Sequence, residues 1–368
     1  MKVVGSVVEY NPFHDGHAYH LKKAREIAGD DGEMVVVMSG NFVQRGEPSI
    51  TDKYTRTRLA LEAGVSAVFE LPTSYCVSSA EGFAYGGMAI LNGLGAVSDV
   101  VYGLEEGILH EDVIALSKIL ADEPEEYKLL LLEGLKAGKN FPSARYDAIN
   151  KCAGKLAYVL ENSNSILAVE YEKSLLKLNS KMNTHAITRS GMSHHKCASM
   201  IREEILSGKN TYGIDYSVCL DDFSELINYR LICESQSHLE ELLDFNYDIA
   251  NRFLALANKN LKASDLVNEL SCKNYTQTRI KRCLVHLLLD IKDVKRIDRV
   301  RLLGARKDSR ALRKIKDMSS IHITTKLADD KSGYYDDDIR CSDIYNLVVS
   351  KTSGINIDND YSHELVII

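Results

Sequence analysis

Two histidines with a small residue between them, in the element His14-Asp15-Gly16-His17, stand just after the apolar run Val3–Val8. A strand ending there and a helix starting near Gly16 aim two imidazoles and several helix-opening N–H groups at one point. Those N–H groups have no intrahelical partner and carry partial positive charge, so an anion is favoured there. Gly16 lets a ligand approach with no Cβ in the way. Imidazoles that donate to phosphoryl oxygens as charge develops stabilise a transition state, so the pattern suits phosphoryl or nucleotidyl transfer. Out of context the same quartet fits a Pro-Phe turn bearing surface histidines; the strand before it and the helix-compatible run Ala18–Ala28 after it favour a pocket.

The elements needed to position such a pocket recur along the first half. Met34–Met38, Ala67–Leu71 and Asp99–Tyr102 are short apolar or β-branched runs, separated by helical stretches near 16–28, 52–64 and 78–92. Strand–helix alternation predicts an α/β fold with a parallel sheet, and ligands of such sheets bind beyond the carboxyl ends of the strands. His14, Ser39 and Gly103 each follow a strand, so they fall on one rim. The region Leu156–Leu206 completes this core, with a helix from Asn164 to near Leu178 and a last strand, His185 to Arg189.

From about 215 onward the pattern predicts helices without intervening strands: Phe223–Cys233, Leu239–Phe245, Ile249–Asn258 and Lys273–Ile291 carry apolar residues at three- and four-residue spacing. The formal charge is −7, yet Lys273 to Lys316 holds fifteen Lys or Arg against four Asp. Such a stretch is either the charged exterior of a packing domain or a face for RNA phosphates, with Tyr available to stack on unpaired bases. Eight cysteines without CxxC spacing fit reduced thiols in the cytoplasm. The N-terminus does not read as a signal peptide, and no segment reaches the roughly 18 apolar residues of a membrane helix. His194, His195 and Cys197 are too crowded, without a second ligand pair, to suggest a metal centre.

The motifs EYNPFHDGH, MSGNFVQRGEP, FELP and NSNSILAVEYEKSL, in this order, with the later KNYTQTRIKRCLVHLLL and RVRLLG stretches, strongly resemble the bacterial tRNA(Met) cytidine acetate ligases of the HIGH-type nucleotidyltransferase superfamily. The resemblance runs through nearly the whole chain. It implies a Rossmann-like, parallel-sheet nucleotidyltransferase core over residues 1–210 and a mainly α-helical tRNA-binding domain over 211–368. It implies an ATP pocket formed by Val7, Val8, Glu9, Tyr10, Asn11, Pro12, Phe13, His14, Asp15, Gly16, His17, Ala18, Tyr19 and His20, with Gly103, Asn164 and Arg189. An amide can read adenine or ribose edges, and a guanidinium can neutralise phosphate.

Catalytic roles fall to His14, His17 and Arg189, with Gln44, Arg45, Asp52, Ser199 and Arg202 as candidates for a phosphate or catalytic loop. Candidate tRNA contacts are Lys273, Arg279, Lys281, Arg282, Lys295, Arg296 and Arg299. The implied reaction uses ATP, with Mg²⁺, to convert acetate to acetyl-adenylate and then acetylates the wobble cytidine of elongator tRNA(Met), with no part for DNA or a membrane. Leu104, where the family has a small hydroxyl residue, and Ser163, where it has Pro, depart from the pattern. Two other readings compete: a small-molecule nucleotidyltransferase using the same HxGH pocket, and a noncatalytic tRNA- or ribosome-binding protein that has kept a nucleotide fold.

Overall fold

The apolar runs fold as strands of one sheet in the computed structural model, which describes residues 1–188, 197–209 and 213–368. In chain order the strands are β1 (Val3–Val8), β2 (Glu33–Ser39), β3 (Phe42–Val43), β4 (Glu47–Pro48), β5 (Ala67–Leu71), β6 (Asp99–Leu104), β7 (Asn183–Thr188), β8 (Arg299–Ala305), β9 (His322–Thr324) and β10 (Val366–Ile367). The main sheet runs β10-β8-β5-β2-β1-β6-β7, with β9 on β8; β3 and β4 form a separate hairpin. Strand β1 pairs with β2 in parallel from Val3↔Glu33 to Val8↔Met38, and β6 flanks its other side. All pairings in the main sheet are parallel except β5 with β8.

Strands buried on both faces explain why these runs are nearly all apolar. Val3, Val35, Val37, Phe69 and Val100 belong to one core layer, under the Ala80–Gly93 and Ser163–Lys177 helices. Val4, Met34, Val36, Val68 and Val101 belong to the other, with Leu21 and Ala24 of the Asp15–Ala28 helix. The chain winds outward from β1 to β2 and β5, then returns to lay β6 and β7 on the opposite side. The direction therefore reverses between β1 and β6, and in such sheets the crevice at the carboxyl ends of that pair is where ligands bind.

The second half is mainly helical, with helices at Ser224–Cys233, Tyr247–Leu254, Ala263–Leu270 and Gln277–Leu289. The expectation of no strands there is wrong: β8, β9 and β10 extend the main sheet. Strand β8 reads in sequence as part of a basic stretch because Arg299 and Arg301 alternate with Val300 and Leu302, yet Arg301 is only 5% exposed. No helix of the described residues is long and apolar enough to cross a membrane.

Arg301 is buried because its charge is answered by residues distant in sequence. Lys53 Nζ lies 2.6 Å from Glu70 Oε1 and 2.8 Å from Asp360 Oδ2, and Arg301 Nη1 lies 3.0 Å from Asp360 Oδ2 and 3.5 Å from Glu70 Oε2. Tyr54 Oη donates to Asp360 Oδ1 at 2.7 Å, and Ser342 adds a further contact to Lys53. Two cations and two carboxylates thus balance inside the protein and fasten the C-terminal segment to the core. Burial outweighs the cations at Glu70 and raises its carboxyl; at Asp360 burial is overcome by Lys53 and Arg301, and the carboxyl drops to about 2.

A carboxylate whose folded pKa lies below its unfolded value stabilises the fold fully above the unfolded value and loses that contribution as pH falls toward the folded one. Wild-type stability should therefore decline between about pH 4 and pH 2, with a smaller decline in Asp360→Asn over that window. At neutral pH, Asp360→Ala leaves buried cations short of a counter-charge and should cost about 3–5 kcal/mol in urea unfolding. An unchanged midpoint would show that the network does not hold the C-terminal segment.

Candidate active site

The crevice at the carboxyl ends of β1 and β6 is a cleft of about 240 Å³. Of the residues expected to form an ATP pocket, Val7, Val8, Glu9, Tyr10, Gly16, His17, Tyr19, His20, Gly103 and Asn164 line it. Asn11, Pro12, Phe13, His14, Asp15 and Ala18 shape the turn behind that lining. Arg189 lies outside the described residues. Phe83, Tyr102, Leu167, Tyr171 and Ile187 add apolar or aromatic wall not singled out in the sequence; Leu167 and Tyr171 lie within the NSNSILAVEYEKSL motif, where each reads as a core residue of its helix.

The HxGH turn is built differently from the expected cradle of open N–H groups. After β1 the chain bends sharply at Tyr10, whose φ is 49° and whose side chain is buried. His14 is the N-cap of the Asp15–Ala28 helix: its Nδ1 accepts the Gly16 N–H at 3.0 Å, and its carbonyl accepts the N–H groups of His17 and Ala18. These three N–H groups are therefore bonded within the turn. In a neutral His14 ring the proton then sits on Nε2, because Nδ1 is the acceptor. The two imidazoles stack at 3.9 Å, and Tyr10 meets His17 edge-on at 4.9 Å. What the turn offers an anion is thus a pair of oriented rings.

The opposite jaw of the cleft is the tip of the β3–β4 hairpin, Gln44-Arg45-Gly46. Gln44 and Arg45 line the cleft; the Gln44 N–H donates to Glu9 Oε1 at 2.7 Å, and Arg45 reaches Ser163 Oγ at 3.3 Å. Gly46 has φ +71°, and a Cβ there would lie 2.4 Å from the Arg282 backbone nitrogen, so the tip rests directly on the Gln277–Leu289 helix. Lys281 of that helix also pairs with Glu47.

Both jaws are tied by Arg56, a residue that sequence reasoning passed over. Its guanidinium is 0% exposed and makes five hydrogen bonds, through Nη1 to the carbonyls of Glu9 (2.6 Å) and Ser39 (3.1 Å), through Nη2 to the Gly40 carbonyl and Ser49 Oγ (3.2 Å), and through Nε to the Thr51 carbonyl (3.2 Å). Those acceptors are the exit of β1 and both ends of the segment that carries the hairpin. Its helix, Lys53–Glu62, buries Lys53, Arg56, Thr57 and Ala60 at helical spacing, a core-facing stripe made largely of polar groups.

Other expected residues have mainly supporting contacts. Asp52 is a buried N-cap that accepts from the Tyr54 and Thr55 N–H groups, Thr55 Oγ1 and Tyr216 Oη, so its carboxyl is held below the usual range despite burial. Arg202 donates to the Asn11 carbonyl at 2.8 Å and braces the turn; Ser199, on the same helix (Ala198–Leu206), is exposed and lines a separate groove. Asn164 donates its amide to Glu105. A Cβ on Gly103 would meet nothing within 4 Å, so the cleft is open at that backbone.

Most of the expected basic face has carboxylate or carbonyl partners within the chain. Arg282 pairs with Asp244 at 2.6 Å, Arg279 donates to the Asp244 carbonyl, Lys281 meets Glu47, Lys295 meets Asp337 and Asp338, and Arg299 meets Asp330. Lys273 and Arg296 are exposed.

The profile of a family described as HIGH Nucleotidyl Transferase matches residues 1–360. The chain is 35% identical to the tRNA(Met) cytidine acetate ligase of Thermoanaerobacter sp., with all of both chains covered, and 37% identical to that of Clostridium perfringens, covering 98% of each. It is 40% identical to the tRNA(Met) cytidine acetate ligase of Caldicellulosiruptor saccharolyticus, over 79% of this chain and 78% of that one. Its structure matches that of Thermotoga maritima TmcAL bound with alpha-thio ATP at a TM-score of 0.92 and 29% identity, covering both chains fully.

Replacing Arg56 tests the tie between the jaws. Lysine has three donors in place of five and no planar fork, so Arg56→Lys leaves buried acceptors unmatched, each at about 1–3 kcal/mol. We expect a loss of roughly 2–4 kcal/mol in chemical denaturation and weaker ATP binding by calorimetry. Native-like values for both would mean that other contacts set the jaws.

Proposed function

We propose a function for this chain from one premise: it belongs to the HIGH nucleotidyl transferase family, and to the tRNA(Met) cytidine acetate ligases within it. It is a ligase that uses ATP to activate acetate and transfers the acetyl group to the exocyclic amine of the wobble cytidine in elongator tRNA(Met). The observation that carries this reading is the convergence of His17, Gly103 and Asn164 on one cleft at the β1/β6 crevice, in a fold shared with a chain bound to an ATP analogue.

In the first half-reaction an acetate oxygen attacks the α-phosphorus, and the bond to pyrophosphate breaks. No enzyme nucleophile is needed, so the protein positions the reactants and answers developing charge. The Nε2–H of His14 and the ring of His17 donate to phosphoryl oxygens. Arg45 on the hairpin tip and Arg189 neutralise phosphates, and Arg202 holds the turn through Asn11. In the second half-reaction the cytidine amine attacks the acetyl carbonyl and AMP leaves.

Magnesium accompanies ATP in this reading. Among the described residues no trio of His, Cys, Asp or Glu could hold a metal, and Glu9 is the one carboxylate lining the cleft. One carboxylate is too few to hold the ion, so the phosphates would carry it and it would neutralise their charge. The tRNA belongs to the second half, residues 211–368, where Lys273 and Arg296 are the two exposed members of the seven candidate cations.

Incubation with ATP, radiolabelled acetate and tRNA from a strain lacking the enzyme tests the proposal, with label expected in RNA as N4-acetylcytidine. Pyrophosphate release without labelled RNA would favour a small-molecule nucleotidyltransferase; label from acetyl-CoA without ATP would contradict acetate activation. His17→Ala should lower acetate-dependent pyrophosphate release by about 10²-fold with the fold retained. The double variant Lys273→Glu, Arg296→Glu should weaken tRNA binding and flatten its salt dependence, since fewer counterions are released. An unchanged salt slope would place the RNA elsewhere.

A further inference from the structure

Glu9 has no part in holding anions, yet it stands where ATP and a carboxylate substrate must enter. It lies at the carboxyl end of β1, half-buried, and it is the one carboxylate lining the cleft among the described residues. Its charge is wrong for binding phosphates and right for taking a proton. The side chain is nonetheless fixed, with Oε1 accepting the Gln44 N–H at 2.7 Å.

Charged or titratable groups act on this carboxyl from four elements. Arg56 faces it from the Lys53–Glu62 helix, Arg202 from the Ala198–Leu206 helix and Arg45 from the hairpin tip, while the buried Tyr171 phenol approaches from the Ser163–Lys177 helix. Burial outweighs the three cations and the Gln44 hydrogen bond, so the group titrates above the ordinary glutamate range. That brings it closer to the working pH, where a general base is most effective.

The second half-reaction needs such a base. The exocyclic nitrogen of cytidine is a weak nucleophile, because its lone pair is shared with the ring. As it attacks the acetyl carbonyl carbon a C–N bond forms, the C–O bond to the phosphate of AMP breaks, and AMP leaves with the electron pair. One proton must then leave the nitrogen. The imidazoles of His14 and His17 are poorly placed to take it: a ring nitrogen that donates to a phosphoryl oxygen cannot accept at the same time, His14 Nδ1 already accepts from Gly16, and His17 Nδ1 is buried. His20 also lines the cleft, but it lies a turn farther along the helix than His17.

Resting on the ligase reading above, we propose that Glu9 is the catalytic base that takes the proton from the attacking cytidine amine. The proton passes to the carboxylate as the C–N bond forms, and the neutral acid returns it to solvent after AMP and RNA depart. During adenylation Glu9 does no chemistry, and its negative charge opposes the entry of acetate.

Glu9→Gln separates these roles, because glutamine keeps the shape and can still accept the Gln44 N–H. The test follows both half-reactions: acetate-dependent exchange of pyrophosphate into ATP, and single-turnover transfer of labelled acetyl to tRNA. Transfer should fall by about 10²-fold or more. The KM for acetate in the exchange reaction should fall as a like charge is removed. Wild-type transfer should rise with pH and then level, and Glu9→Gln should lack that rising limb. Glu9→Asp, which keeps a carboxylate but draws it back, should retain an intermediate transfer rate with the limb preserved. Equal losses in both half-reactions, unaltered transfer, or an unaltered limb in Glu9→Gln would each overturn the assignment. Failure of the wild-type protein to label tRNA would instead bring down the ligase reading and this role with it.

Discussion

The cleft depends on one buried guanidinium. Arg56 lies in the interior with its five N–H groups matched to five oxygens, four of them backbone carbonyls at the exits of β1 and β2 and beside the hairpin. Strand ends and loops leave carbonyls unpaired, and burying them without donors is costly. A rigid fork of donors meets that need where water is excluded, and it sets the spacing between the HxGH turn and the hairpin tip. The cation is close enough to Asp52 and Glu9 for both to offset its burial. Its site is thus a joint between strand ends as well as a centre of charge.

The same logic operates one turn earlier on that helix. Lys53, with Arg301 from β8, faces Glu70 and Asp360, so the segment that closes the chain is fixed by ion pairs as well as by apolar packing. Buried pairs of this kind are weak evidence for net stability, because desolvation offsets much of their attraction. Their consequence here is geometric: β8 can lie against β5 only where its arginine finds both carboxylates. The helical half then reaches back to the cleft, with the Gln277–Leu289 helix supporting the hairpin at Gly46 and Glu47. The cleft and the helices proposed to meet RNA therefore share a contact.

Much of this was legible in the sequence where burial is apolar. Val3–Val8 and Ala67–Leu71 are strands over the expected residues, and the first helix begins beside Gly16 as expected. The α/β class and the rim followed from runs and turns, while the set that includes ten of the residues lining the cleft came with the family resemblance. Illegible were the features made of buried charge. Arg56 and Arg301 look like surface cations because hydropathy patterns carry no information about a partner tens or hundreds of residues away. Strand β8 was hidden for that reason, as were the carboxylate or carbonyl partners of Arg279, Lys281, Arg282, Lys295 and Arg299 in the cation-rich stretch. The bonded N–H groups of the HxGH turn were also beyond reach, since a histidine N-cap depends on a ring orientation that residue types do not specify.

The central claim is that the jaws tied by Arg56 hold ATP with its phosphates against the stacked histidines. A crystal structure of this protein with a non-hydrolysable analogue of acetyl-adenylate tests it most directly. The account predicts the analogue at the β1/β6 crevice, with its phosphate mimic about 3 Å from a ring nitrogen of His14 or His17, its base beyond Gly103 and the five Arg56 hydrogen bonds intact. An analogue bound outside that crevice, or bound there only after the Arg56 hydrogen bonds had broken, would contradict it.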